Sequence, residues 1–212
     1  MQFDKNSLLL YGVTDRSWLK GKHLSVAVEE ALKGGTTCLQ LREKSMPDDE
    51  FLAEALEIKA LCHKFGVPFI INDHVQIALD SKADGIHVGQ RDMNAQDVRS
   101  RIGENMLLGV SVSTVAHARA AEKSGADYLG VGAVFSTSTK ADADAVSLET
   151  VGEICHAVKI PVVAIGGIAK ENLHQLTDLG LAGVALVSAI FAQPDIRVSC
   201  LALRELAEKW LL

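Results

Sequence analysis

The chain has 212 residues with a formal net charge of -6, and its 48% hydrophobic content is enough to bury a sizeable core. An acidic balance with well-mixed charges argues against non-specific nucleic-acid binding, which needs clustered Lys and Arg against phosphate. No apolar run reaches the ~20 residues of a membrane helix, the opening MQFDKNSLLLYGVTDRSW lacks the apolar stretch and cleavage site of a signal peptide, and Cys38, Cys62, Cys155 and Cys200 never stand in CxxC spacing, so a cytoplasmic protein with small buried cysteines is expected, without a zinc site or disulfide framework.

Short aliphatic runs recur along the chain: LLLYGVT from Leu8, CLQLRE from Cys38, PFIIND from Pro68, GIHVG from Gly85, LLGVSV from Leu107, YLGVGA from Tyr128, VVAIGG from Val162 and GVALVS from Gly183. Each is bounded by Gly, Pro, Asn or Asp, as buried strands are. Helical spacing fills the gaps. DDEFLAEALEIKALCHKFG predicts a helix with Phe51, Leu52, Ala55, Leu56, Ile58, Lys59 and Leu61 on one apolar face and a stop at Gly66. TVAHARAAEKSG predicts another, capped by Thr114 and ended at Gly125, and KENLHQLTDLG a further one that stops at Gly180.

Strand then helix, eight times over, predicts a parallel sheet covered by helices and closed as a (β/α)8 TIM barrel, with residues 1–212 forming a single compact domain. The alternative, an open doubly wound sheet, usually carries GxGxxG after its first strand; here that position reads YGVTDRSWLKGK.

In such a barrel the chemistry belongs on the loops that follow the strands. Arg42, Glu43 and Lys44 follow the second strand, where a guanidinium and an ammonium together suit a multiply charged anion. Asn72, Asp73 and His74 follow the third; alone they would read as a helix cap. Asp92 ends the fourth unit at nearly the same height, so Asp73 and Asp92 can converge on one hard cation, and oxygen ligands without Cys or His favour Mg2+. Ser111 ends the fifth strand without a triad, which suits a hydroxyl donor to an anion. The turns AIGGI and LVSAI follow the seventh and eighth strands, where barrels often hold phosphate on backbone amides. His87, inside the fourth strand, reads as a satisfied core histidine.

The stretch FSTSTKADADAV, Phe135 to Val146, is polar and small. Strands continue in one count on both sides of it, so it reads as the sixth βα loop and a lid rather than a linker.

The motifs QLREK, IND, GIHVGQRD, GVS, GAVFSTSTKADA, AIGGI and LVSAI together resemble the thiamine phosphate synthase family, in order and spacing, from the second strand to the eighth. The resemblance implies a Mg2+-dependent transferase that couples hydroxymethylpyrimidine diphosphate to hydroxyethylthiazole phosphate and releases diphosphate. It implies that Gln40, Leu41, Arg42, Glu43, Lys44 and Asn72 bind the pyrimidine diphosphate, with Ser111 and Lys140 on its phosphates and Asp73 and Asp92 on the metal. Thr137, Ser138, Thr139, Gly167, Val187 and Ser188 would hold the thiazole phosphate, and Arg42, Lys44, Ser111 and Lys140 would supply the catalytic positive field. Three other readings stay open: a thiazole tautomerase on the same barrel, a Schiff-base aldolase using Lys44 or Lys140, and a non-catalytic phosphate-binding barrel. No residue argues for or against a homo-oligomer.

Overall fold

A computed structural model describes residues 4–19, 21–136 and 145–212. Its strands are β1 (Leu10–Val13), β2 (Cys38–Leu41), β3 (Phe69–Asn72), β4 (Gly85–Val88), β5 (Leu107–Val112), β6 (Tyr128–Val131), β7 (Val162–Ile165) and β8 (Gly183–Leu186). All pair in parallel with their sequence neighbours, and β1 pairs with β8 through Leu10↔Val184 and Gly12↔Leu186, closing the barrel. Closure rules out the open sheet.

The helices are α1 (Leu24–Lys33), α2 (Asp48–Lys64), α3 (Val75–Asp80), α4 (Ala95–Ile102), α5 (Val115–Lys123), α6 (Leu148–Ala157), α7 (Ser188–Phe191) and α8 (Ile196–Leu211). None of the described helices is long and apolar enough to cross a membrane. In α2 the buried stripe is Phe51, Ala55, Ile58 and Cys62, a spacing of four, three and four residues. Leu56 was expected on that face, but one residue is a 100° rotation beyond Ala55, and Leu56 faces solvent at 49% exposure. Thr114 caps α5 as expected, accepting the His117 N–H at 3.1 Å. The segment KENLHQLTDLG forms only a 3-10 turn, Leu173–Leu176. Its two buried leucines stand three residues apart, the 3-10 repeat, and Thr177 turns to extended backbone before a second turn can form.

Strand alternation sorts the side chains into two cores. Leu10, Leu39, Leu41, Ile71, Ile86 and Leu108 face outward onto the helices. Tyr11, Val13, Cys38, Ile70, Tyr128, Val163 and Ala185 fill the barrel itself. All four cysteines are free, and Cys38, Cys62 and Cys200 are buried while Cys155 is partly so. Burial pushes the thiols up, Cys62 to about 12 and Cys155 and Cys200 to about 11, so they are inert packing groups.

The rim at the amino ends of the strands is structural. Asp84 accepts the Phe69 N–H and Asp127 accepts the Leu108 N–H, each tying one strand start to the next. Arg99 from α4 completes this face, reaching the carbonyls of Gly103, Met106 and Gly125 and the carboxylate of Asp127.

Candidate active site

At the carboxyl ends of the strands a cavity of about 160 Å3 opens over the barrel interior. Gln40, Arg42, Asn72, Ser111, Gly167, Val187 and Ser188, all expected from the sequence, line it. They come from five strand ends, and one alternation explains them. Gln40, Asn72 and Ser111 share inward parity with Cys38, Ile70 and Gly109 on their own strands.

The β2 end is set by Thr14, which is fully buried and follows β1. Its N–H donates to the Gln40 carbonyl at 3.0 Å and its hydroxyl accepts the Arg42 N–H at 2.9 Å. The Arg42 side chain thereby stands on the wall between the central cavity and a more open depression that holds Lys44. Glu43 turns elsewhere: its carboxylate lies 2.9 Å from the Arg16 guanidinium, which also pairs with Glu54. Partial burial holds the Glu43 carboxyl above its ordinary range, opposed by Arg16 and reinforced by Glu54. Leu41 has the opposite parity to Gln40 and packs, fully buried, between sheet and helices. Of the QLREK motif, Gln40 and Arg42 therefore reach the cavity, Glu43 and Lys44 line its neighbour, and Leu41 packs beneath the loop.

The third and fourth strand ends meet. His74, not Asn72 or Asp73, caps α3, its Nδ1 accepting the Ile77 N–H at 3.3 Å. That releases the two preceding side chains from capping. Asn72 Nδ2 donates to Asp73 Oδ2 at 2.6 Å. Asp73 adopts a left-handed backbone with φ of 61°, a region that Asp tolerates better than most side chains. Asp92 is fixed by the Gly89 N–H, 2.7 Å from its Oδ2. Although Asp73 is exposed as a residue, its carboxyl is pushed up to about 6 by partial withdrawal from water and by hydrogen bonding and repulsion from Asp92; Asn72 and Arg42 oppose this. Two carboxyls that crowd each other in this way suit a divalent cation between them.

The interior beneath the cavity is polar. Gln40 Nε2 donates to Tyr11 Oη at 2.8 Å, and Tyr11 Oη lies 2.8 Å from Tyr128 Oη. Tyr128 Oη lies 3.1 Å from His87 Nδ1, and His87 Nε2 lies 2.9 Å from Ser111 Oγ. Burial pushes both phenols well above their ordinary range, so each keeps its proton. His87 is buried and hydrogen-bonded, as a core histidine should be, yet it also lines the cavity and touches Ser111. Tyr11, Tyr128 and Thr14 escaped the sequence reading. The signal for the first two was a tyrosine at an inward-facing strand position, where a phenol needs a partner.

Gly109 makes room for this group: a Cβ there would overlap the Tyr128 ring and His87 Nδ1. Gly167, with φ of 63°, passes so close to Phe135 and Ser136 that a Cβ would overlap them. Its carbonyl accepts from Asn172 Nδ2 at 2.9 Å, which holds the β7 turn in shape.

Thr137, Ser138, Thr139 and Lys140 lie outside the described residues. The ends of their segment are pinned close together: the Phe135 N–H donates to Gly166 and the Val146 N–H to Ala133.

A family model described as thiamine monophosphate synthase matches residues 10–190. A thiamine-phosphate synthase of Ruminiclostridium cellulolyticum is 51% identical over 197 residues, 93% of this chain and 94% of the relative. One from Clostridium tetani is 49% identical over 191 residues, 90% of this chain and 91% of the relative. The solved structure of a thiamine phosphate pyrophosphorylase from Pyrococcus furiosus superposes with a TM-score of 0.91 at 38% identity, covering 98% of this chain and 99% of that one. With the barrel, the rim and these likenesses in agreement, the chain belongs to the thiamine monophosphate synthase family of transferases.

Proposed function

We propose that the protein couples hydroxymethylpyrimidine diphosphate to hydroxyethylthiazole phosphate at this rim, giving thiamine phosphate and diphosphate. The observation that carries the reading beyond family membership is the Asp73–Asp92 pair with Arg42 beside it. A tautomerase acting on the thiazole phosphate alone has no use for a paired carboxylate and guanidinium suited to a diphosphate. A Schiff-base aldolase acting through Lys44 would need that lysine desolvated, whereas it is exposed.

The bond to break joins the pyrimidine methylene carbon to a diphosphate oxygen. Its electron pair leaves with the diphosphate, and the pyrimidine amino group spreads the positive charge left behind. The thiazole nitrogen then donates its lone pair to that carbon, so no general base is needed. The protein's part is to neutralise the leaving oxygens and to hold the partners in line. Arg42 and Ser111 supply donors from the cavity wall and Lys44 from the neighbouring depression, and Lys140 adds to them in this reading. Asn72 and Gln40 bind the pyrimidine portion, with Leu41 and Glu43 shaping their loop. Gly167, Val187 and Ser188, with Thr137, Ser138 and Thr139, take the thiazole phosphate. Each well-placed donor of this kind is worth ~100-fold or more in turnover.

Asp73 and Asp92 fit Mg2+: they offer hard oxygen donors, they crowd each other without it, and no cluster of three or more His, Cys, Asp or Glu exists among the described residues to favour another metal. When bound there, Mg2+ would neutralise diphosphate oxygens. With small phosphorylated substrates and no membrane-length helix among the described residues, the cytoplasm is the compartment this reading assigns.

The test is to incubate the protein with both substrates and Mg2+ and to measure diphosphate and thiamine phosphate. Both should form in equal amounts, stop on chelation and resume on adding metal. Binding of the thiazole phosphate without either product refutes the coupling reaction.

A further inference from the structure

Five side chains from five different strands form one unbroken hydrogen-bonded line through the barrel, from Gln40 through Tyr11, Tyr128 and His87 to Ser111. Both ends of the line face the cavity. Such a chain has a direction, because each hydroxyl carries one proton and an amide nitrogen only donates.

Start at Gln40. Its Nε2 gives a proton to Tyr11 Oη, so the Tyr11 proton is free to go to Tyr128 Oη. The Tyr128 proton is then available to His87 Nδ1, which makes that the bare nitrogen on this line, and Nε2 carries the imidazole proton toward Ser111 Oγ. The Ser111 hydroxyl, having accepted, keeps its own proton for the cavity. Run in reverse, the line is weaker at Tyr11. That hydroxyl would receive protons from both Gln40 and Tyr128, and its own would have to seek the Cys38 sulfur, a weak acceptor, in the barrel interior.

We propose that this line holds His87 as the Nε2–H tautomer and thereby presents the Ser111 proton to an anionic oxygen of the bound diphosphate, with Tyr11, Tyr128 and His87 as positioning residues. The assignment of the acceptor as the diphosphate rests on the function proposed above; the tautomer does not. Gly109 shows that the arrangement is built into the fold, since no other residue leaves space for the Tyr128 and His87 rings to meet. Without the line, the Ser111 hydroxyl could turn its proton inward to His87 and offer the substrate a lone pair, which repels an anion.

Two measurements test it. In the wild-type protein, nitrogen-15 NMR of the His87 imidazole, identified by its loss in His87→Gln, should show a bare Nδ1 and a protonated Nε2. A protonated Nδ1 overturns the proposal, and this measurement needs no turnover. In kinetics, Tyr128→Phe should lower kcat by about 10-fold. The same change made in a Ser111→Ala background should cost nothing further, because the line acts through that hydroxyl. Losses that multiply instead overturn the positioning role. If the wild type forms no product while the Nε2–H tautomer is present, the proposed reaction fails and the hydrogen-bonded line stands.

Discussion

The carboxyl groups of Asp73 and Asp92 stand within hydrogen-bonding reach of each other, although they come from different strand ends. Two anions in that position repel unless a proton or a cation joins them. Asp92→Ala is therefore expected to lower turnover by more than ~100-fold. Its structural cost is limited to the Gly89 N–H it accepts, about 1 kcal/mol. Paired activity assays and thermal melts check this; a loss of stability as severe as the loss of activity would count against the metal role.

The same pair sets a pH dependence. Asp73 is raised to about 6 in the folded protein, above the ~3.9 of an unfolded chain. Its contribution to stability is thus full below about pH 4 and is lost as pH rises through about 6. Between pH 5 and pH 7 the metal-free protein should lose thermal stability through this group. Asp73→Asn should flatten that part of the profile, and saturating Mg2+ should restore stability at pH 7. Melting curves across the window decide it: an unchanged slope in the variant would show that Asp73 titrates elsewhere.

Arg16 stands between Glu43 and Glu54, whose side chains are only 7% and 15% exposed. Arg16→Ala would leave two half-hidden carboxylates facing one another. The expected cost is about 1 to 3 kcal/mol at pH 7, less in mild acid where one carboxyl takes a proton. Urea denaturation at both pH values measures it. KM for the pyrimidine diphosphate should rise as well, because Glu43 anchors the loop between Arg42 and Lys44.

At the opposite rim, Arg99→Ala removes bonds to three carbonyls and to Asp127. Stability should fall by about 2 to 4 kcal/mol. At a temperature where the variant remains folded, kcat/KM should match the wild type. A catalytic defect there would contradict the division of labour between the two faces.

Gly109→Ala is expected to give little folded protein, since the added methyl would overlap the Tyr128 ring and His87. Soluble expression and circular dichroism suffice to see it. A well-folded variant would mean that the two rings are held less tightly than their hydrogen bonds imply.

The barrel was legible because its strands are short apolar runs with turn residues at both ends, and the strands of the described residues follow that count. Parity within a strand was less legible. Gln40 and Leu41 are neighbours in one motif, yet one faces the cavity and the other the helices, a choice made by pairing with β1 and β3. The NDH turn was ambiguous because any of its three residues can cap a helix. His74 takes the cap, and only the folded chain reveals that Asn72 and Asp73 are thereby released. His87 read as packing because its partners Tyr128 and Ser111 lie 41 and 24 residues away. Gly109, on the adjacent strand, was the available hint, a missing side chain beside a ring.

Most barrels of this kind fill their centre with branched aliphatic residues; this one devotes much of that space to Tyr11, Gln40, His87 and Tyr128. Engineering for heat resistance would naturally replace them with close-fitting Leu, Ile or Phe, and the product should survive higher temperatures. It should also be inert, for here the part of the molecule that a designer would treat as filler is the foundation on which the reacting surface stands.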